Sequence, residues 1–395
     1  MKEKSTRCVH AGTIKDAATK GVNTPIYTST AYAYLDQPQQ FYPRYFNVPN
    51  QQAVIEKLCV LEGSESGLVF SSGMAAITTT LLAHLQTGDH IVFQAGVYGG
   101  THHFAVHELG RYGIEHSFTE GTTRADFESE LRPNTKIIYV ETPSNPLLSI
   151  VDLDMVAALA RERNIMSVID NTFASPINQN PLALGIDVVI HSGTKYLGGH
   201  SDICCGVVLA SDDVIATVRH SSLSFGGSLN AEMCHLLERS LKTLELRVRR
   251  QNENALTIAL ALAKHDAIAR VFYPGLESHT AHDIARRQMS DYGGVLSFEL
   301  KDAAPTMFLN SLRLIQPAMS LGGIETTICQ PAMTSHVKLT GDERLKLGIT
   351  DGLMRLSVGI EDAQELAADI EQAIHNSQNT EGDNSESQRS KTARV

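Results

Sequence analysis

The sequence predicts an α/β protein, with a large domain on a mostly parallel sheet followed by a smaller α+β C-terminal domain. Three observations predict it. Between about residues 51 and 192, short apolar runs alternate with stretches of helical periodicity, the arrangement that covers both faces of a parallel sheet. After about Asn230 the texture changes to a long helical stretch and then to strand-like runs. The chain's 395 residues also exceed one ordinary core, which favours division into domains.

The elements follow in order. Residues 1–50 form a Tyr-, Pro- and Thr-rich arm without sustained periodicity, suited to draping over a neighbouring subunit. The large domain spans 51–230. Its helix QQAVIEKLCVLEG leads to strand GLVF, and SSGMAAITTTLLAHL opens the next helix. Strand HIVFQ, helix THHFAVHELGRYG, strand IEHSFTE and strand TKIIYVE come next. Helix DLDMVAALARERN and strands MSVID and DVVIHS complete the series. The small domain, 231–376, begins with one long helical stretch from Ala231 to His265. GGVLSFEL and LMRLSVGI then read as strands, and DAQELAADIEQAI as a closing helix. Residues 377–395 are polar and nearly free of apolar side chains, so a disordered tail is expected there.

Composition narrows the function classes. Hydrophobic content of 42% and charged content of 19% are those of a soluble globular protein. A net charge of -11, spread along the chain, argues against a nucleic-acid surface. MKEKSTRCVHAG lacks the apolar core of a signal peptide, and no apolar run is long enough to span a bilayer. Cys8, Cys59, Cys204, Cys205, Cys234 and Cys329 lack zinc-like or redox spacing. Apolar flanks mark Cys204 and Cys205 as buried thiols in a reducing cytoplasm. Walker, GxGxxG, HExxH and GxSxG patterns are missing, and no metal site is expected.

The chemistry gathers at strand ends, where ligands of parallel sheets bind. Lys195 lies in VVIHSGTKYLGGHSD, just past an apolar run, and Asp170 ends IMSVID some 25 residues earlier. An amine and a carboxylate so placed suit pyridoxal 5'-phosphate (PLP): the amine forms a Schiff base, and the carboxylate keeps the ring nitrogen protonated. In FSSGMAAI, Gly73 and Met74 open a helix whose free N–H groups make an anion site, though an ordinary N-cap reads the same way. Ser192 and Thr194 offer hydroxyls to the same phosphate. Tyr42 and Arg44 in the arm offer a phenol and a bidentate cation. Asn145 in ETPSNP is placed to reach the ring hydroxyl, or simply to make a Ser-Asn-Pro turn. Tyr98 in VYGGT can stack on a ring and relay a proton, or serve as a core tyrosine. Arg355, inside apolar LMRLSVGIED, needs a partner. A substrate carboxylate would supply one, as would Glu361 or Asp362.

FSSGMAAI, VYGGT, ETPSNPLLSIVD, VIDNTFASP, HSGTKYLGGHSD, LKTLELR, SLGGIET and RLSVGIED, in that order, resemble the PLP-dependent enzymes of Cys/Met metabolism. The resemblance runs from about Gly21 to Ile374. It implies fold type I of the PLP-dependent transferases, the aspartate aminotransferase-like fold, and an amino-acid substrate. By the resemblance, Lys195 carries the cofactor and shuttles protons, Asp170 is the pyridinium partner, and Gly73, Met74, Ser192 and Thr194 hold the phosphate. Tyr98 stacks on the ring and assists the leaving group, and Asn145 lies near the ring hydroxyl. Arg355, assisted by Ser320, binds the substrate carboxylate. Tyr42 and Arg44 match the family's Tyr-x-Arg arm, which reaches the neighbouring subunit's phosphate and implies a homodimer or homotetramer with shared sites.

Two positions depart from the family's subgroups. Gly100 follows the Tyr-Gly pair where methionine γ-lyases often carry Cys, and Met319 precedes SLGG where cystathionine γ-lyases and γ-synthases usually carry Glu. An apolar residue there disfavours a distal ammonium group. The leading expectation is a carbon–sulfur lyase of the methionine γ-lyase or cystathionine lyase kind. The alternative within the family is a γ-replacement enzyme, either a cystathionine γ-synthase or an O-acetylhomoserine sulfhydrylase. Outside it stand a cofactor-free Schiff-base aldolase using Lys195 and a non-catalytic binding module.

Overall fold

The computed structural model describes residues 3–301, 304–335, 337 and 340–392. Contacts divide the chain into two units, one of Met1–Asn145, Ser149–Val248 and Asp283–Tyr292, the other of Pro146–Leu148, Arg249–His282 and Gly293–Val395.

The first unit opens with helix α1 (Lys4–His10), a departure from the aperiodic arm the sequence suggests. It is held from outside its own sequence. Lys4 Nζ donates to the carbonyls of Pro176 and Ile177 at 2.9 and 2.7 Å, and buried Lys57 Nζ donates to Cys8 O at 3.0 Å. Seven residues are too few to hold a helix in water without such tertiary support. Helix α2 (Pro49–Glu62) follows, with Pro at its first position and Gly63 in the left-handed region closing it.

Strands and helices then alternate: β1 (Ser66–Phe70), α3 (Gly73–His84), β2 (His90–Phe93), α4 (Gly99–His107), β3 (Glu115–Phe118), α5 (Arg124–Glu130) and β4 (Thr135–Glu141). Helix α6 (Leu153–Arg163), β5 (Met166–Asp170), α7 (Ser175–Asn178), β6 (Val188–Ser192) and β7 (Gly206–Ala210) continue the series. The sheet order is β1-β7-β6-β5-β4-β2-β3. The pairs from β3 through β6 are parallel, whereas β7 is antiparallel to both β1 and β6. Ile137, Ile138, Tyr139 and Val140 of β4 are all buried, which explains the unbroken apolar runs. In register, Glu141 faces Asp170, so the carboxyl ends of β4 and β5 finish level.

Helix α8 (Asp212–Phe225) precedes α9 (Ala231–Leu241) and α10 (Leu244–Leu262). The expected single helical stretch is therefore two helices. Arg247 sits at the break, donating to Ser240 O at 3.0 Å and Tyr196 O at 2.8 Å, with its Nε on Thr243 Oγ1 at 3.1 Å. It thus joins the N–H and hydroxyl of Thr243, which also donate to Ser240 O at 3.2 Å, in closing the end of α9. Residues 231–248 belong with the first unit rather than beginning the second at 231. One reason is Glu238 of α9, which accepts from the hydroxyls of Thr13 and Thr24 at 3.2 and 3.0 Å.

The second unit's sheet includes β8 (Ile268–Phe272), β9 (Val295–Leu300), β10 (Gln316–Pro317), β11 (Thr327–Cys329) and β12 (Leu353–Ser357), in the order β10-β11-β12-β9-β8. All its pairings are antiparallel except β10 with β11. Phe298 and Phe308 meet edge to face within it, 6.1 Å apart. The closing helix is Ala363–Thr392, and side chains are described as far as Gln378. The expected disorder of the tail falls almost wholly beyond them.

Candidate active site

The candidate phosphate cradle comes first. At the turn from β1 into α3, Ser72 caps the helix by accepting from Ala75 N at 3.0 Å. A Cβ at Gly73 would lie 2.9 Å from Ser192 Cβ and 3.1 Å from its Oγ. A glycine here lets the helix N-terminus close on the end of β6, and Ser192 joins it. Thr194 is near in sequence but differently engaged. Its hydroxyl donates to Cys205 O at 3.2 Å and accepts from Cys205 N at 3.1 Å, so it fastens β7 to the lysine loop.

Asp170 ends β5 with 6% of its surface exposed. Burial pushes its carboxyl above the usual range; Thr172, through its hydroxyl and its N–H, and the charges of His191 and Lys195 pull it back. Both Thr172 donors reach Asp170 Oδ1, the N–H at 3.0 Å. The lysine loop is tight: Lys195 N donates to Ser192 O at 3.2 Å and Gly199 N to Lys195 O at 2.7 Å. Arg247 braces the next residue at Tyr196 O. Gly199, at φ +67°, is the glycine this contact demands, since a Cβ there would sit 1.9 Å from the guanidinium.

Tyr98 precedes α4 and is half exposed (47%). Its N–H donates to buried Glu141 Oε2 at 2.8 Å, so the main chain at the ring is tied to the end of β4. A Cβ on Gly100 would meet Tyr98 Cε1 at 2.6 Å and Met74 Sδ at 3.0 Å. The phenol ring and the Met74 sulfur therefore converge on Gly100. Asn145 is buried, three residues after the cis Thr142–Pro143 bond.

Tyr42 and Arg44 have other partners within their own chain. The Arg44 guanidinium donates to Leu223 O and lies over the rings of Tyr42 and Tyr45, 5.7 and 5.3 Å from their centroids. In the second unit, Arg355 on β12 is buried and donates to Ser320 O at 2.9 Å. Ser320 adopts φ +87°. Glu361, the alternative partner for Arg355, accepts instead from Thr326 N and Oγ1 at 2.6 and 2.8 Å.

Cys204 corrects an expectation: it is exposed, while Cys205 is buried with its Sγ 2.4 Å from where a Gly193 Cβ would stand. Cys205 is held inward because its N–H and carbonyl both pair with the Thr194 hydroxyl, just ahead of β7. Sequence reasoning also passed over Thr172, Glu141 and Arg247. All three lie inside stretches already singled out, VIDNTFASP, ETPSNPLLSIVD and LKTLELR, but no role was drawn from them.

The pieces fit PLP on their own evidence. A glycine-lined helix N-terminus suits a dianionic phosphate, a buried carboxylate suits a protonated ring nitrogen, and a lysine whose charge acts on that carboxylate suits the aldehyde. An α/β sheet carrying that set at its strand ends defines a PLP-dependent enzyme of amino-acid metabolism. Residues 5–375 match the family model described as Cys/Met metabolism PLP-dependent enzyme, and the chain belongs to that family. It is 42% identical over 379 residues to a cystathionine gamma-lyase of Bacillus subtilis, covering 95% of this chain and 100% of that protein. An L-methionine gamma-lyase of Fusobacterium nucleatum is 39% identical over 386 residues, covering 93% and 97%. Among solved structures, a cystathionine gamma-lyase from Lactobacillus plantarum complexed with L-serine superposes with a TM-score of 0.92 at 37% identity, covering 95% and 99%. Family membership disposes of the cofactor-free aldolase and the binding module.

Proposed function

We propose that the chain is a PLP-dependent carbon–sulfur lyase of sulfur amino-acid metabolism, acting by elimination as methionine γ-lyases and cystathionine γ- and β-lyases do. The observation that carries the reading is the buried carboxyl of Asp170 at the sheet's carboxyl edge, which feels the charge of Lys195, in a chain whose relatives bear lyase names.

When bound, PLP supplies an aldehyde for the amino group and a ring that draws electrons from the Cα–H bond. The chain's residues do the rest. Gly73, Met74 and Ser192 hold the phosphate, with Thr194 fixing the loop beside them. Asp170 keeps a proton on the ring nitrogen, and Asn145 orients the ring from its hydroxyl side. Tyr98 covers the ring face, and its phenol hands a proton to the departing sulfur. Lys195 Nζ would hold the aldehyde and, as a free amine, would be the base that moves the Cα proton and, for a γ-leaving group, a Cβ proton. Arg355, with Ser320 shaping its surroundings, takes the substrate carboxylate. Met319, 67% exposed, offers an apolar contact to an uncharged side chain such as a thioether.

The reading includes a homodimer or homotetramer in which Tyr42 and Arg44 serve the neighbour's phosphate. Exposed Val22, Tyr34 and Leu35 along the arm support it, as apolar surface awaiting cover. It also places the protein in the cytoplasm, which its free cysteines support. Among the described residues no helix is long and apolar enough to cross a membrane. The test is an assay with methionine, cystathionine and O-acetylhomoserine, with and without added thiol. Ammonia and an α-keto acid should appear from the sulfur amino acids. A thioether product from O-acetylhomoserine and thiol, without keto acid from methionine or cystathionine, would assign replacement instead.

A further inference from the structure

Glu141 ends β4 with 2% of its surface exposed, and the proposed chemistry makes no use of its carboxyl group. A carboxylate buried so deeply persists only where hydrogen-bond donors meet it. One donor is the Tyr98 N–H, 2.8 Å from Oε2, at the N-terminus of α4, the end of a helix that favours an anion. The main chain of Glu141 is held from the same loop: its N–H donates to Oε1 of fully buried Gln94 at 3.0 Å. Gln94 N donates in turn to Tyr139 O at 2.9 Å. Both ends of the loop from Gln94 to Tyr98 are therefore fastened to the end of β4, with Gly96 at φ +76° between them.

We infer that Glu141 is a positioning residue that acts through Tyr98: its carboxylate oxygen fixes the tyrosine main chain, and with it the place of the phenol ring over the cofactor. The ring is half exposed and two glycines follow it, so packing and the next residues constrain it weakly. The Tyr98 carbonyl accepts from His102 N at 2.9 Å, a bond that travels with α4. The bond to Glu141 instead refers the residue to the sheet. Glu141 pairs in register with Asp170, so Tyr98 is set against the same strand ends that carry the carboxylate for the ring nitrogen. A glutamine at 141 would keep an oxygen able to accept from Tyr98, whereas a leucine would keep the bulk without one.

This inference rests on the assignment of Tyr98 to the ring face, and the test keeps the two apart. Hydrogen exchange at the Tyr98 amide is followed by mass spectrometry on the full chain, with and without PLP, in wild type, Glu141→Leu and Glu141→Gln. E141L should speed that exchange about tenfold or more, while E141Q stays within about threefold of wild type and the β4 amides keep their protection in both. Apparent dissociation constants for PLP are then compared with and without Tyr98→Ala. E141L should weaken PLP about tenfold alone and less than about twofold in the Y98A background. Equal effects of E141L in the two backgrounds, unchanged exchange at Tyr98, or exchange in E141Q as fast as in E141L would each overturn the inference. Wild-type affinity for PLP in Y98A would instead sink the assignment of Tyr98 to the ring, which the exchange rates do not depend on. If E141L does not fold, Gln94→Leu, which removes the acceptor of the Glu141 N–H, is measured against the same expectations.

Discussion

Replacing Lys57 by methionine removes a charge that the protein buries completely. Desolvation lowers this ammonium from an ordinary 10.5 to about 8, partly opposed by the Glu238 carboxylate. The native state thus binds the proton less tightly than the unfolded chain, and stability should rise with pH across the window from about 8 to 10.5. At ~1.4 kcal/mol per pKa unit, the Lys57 contribution changes by about 2.5 kcal/mol between pH 7 and 10. Other groups titrate in the same range, so the quantity to measure is the difference between wild type and K57M. Urea unfolding at several pH values gives it. At pH 7 the variant loses the Cys8 carbonyl contact but is relieved of the buried charge; by pH 10 wild type should have gained about 2–3 kcal/mol on the variant. A difference independent of pH would refute the reasoning and place the ammonium in contact with water.

Arg355→Ala should raise KM by the equivalent of about 2–5 kcal/mol, the cost of breaking a desolvated charge pair, with cofactor still bound; an unchanged KM in steady-state kinetics would remove the arginine from the carboxylate. Gly73→Ala forces a methyl group against Ser192, so overpacking of about 1–3 kcal/mol and weaker PLP retention are expected. Calorimetry of the apoenzyme and cofactor titration check both, and wild-type retention would show that the cradle does not carry the phosphate.

The parts of the site that were legible in the sequence share a signature. Asp170 and Lys195 each stand where an apolar run gives way to polar residues, and Gly73 stands between a strand run and a helix run. Such changes of texture mark strand ends, which is where this fold binds ligands. What stayed hidden depends on packing across long separations. Glu62 meets His191 from 129 residues away, and nothing local to EGSESG distinguishes that carboxylate from a solvated helix end. Strand β7 escaped notice because GVVLA is short and follows a glycine-rich loop, and its antiparallel pairing leaves no local trace. The helical stretch after Asn230 kept its apolar spacing across the break at 242–243, so periodicity alone could not show two helices. Cys204 and Cys205 share apolar flanks, yet only Cys205, whose backbone is pinned by the Thr194 hydroxyl, is buried.

The guanidinium of Arg247 reaches from the start of α10 to the carbonyl of Tyr196, in a space that only a glycine at 199 leaves free. On the proposed function, the neighbouring amine of Lys195 would be the group that holds the aldehyde and moves protons. With the peptide link clamped beside it, that traffic is confined to the four methylenes of one side chain, swinging from a fixed pivot. Each cycle then begins from the same geometry, with no peptide rearrangement to reverse.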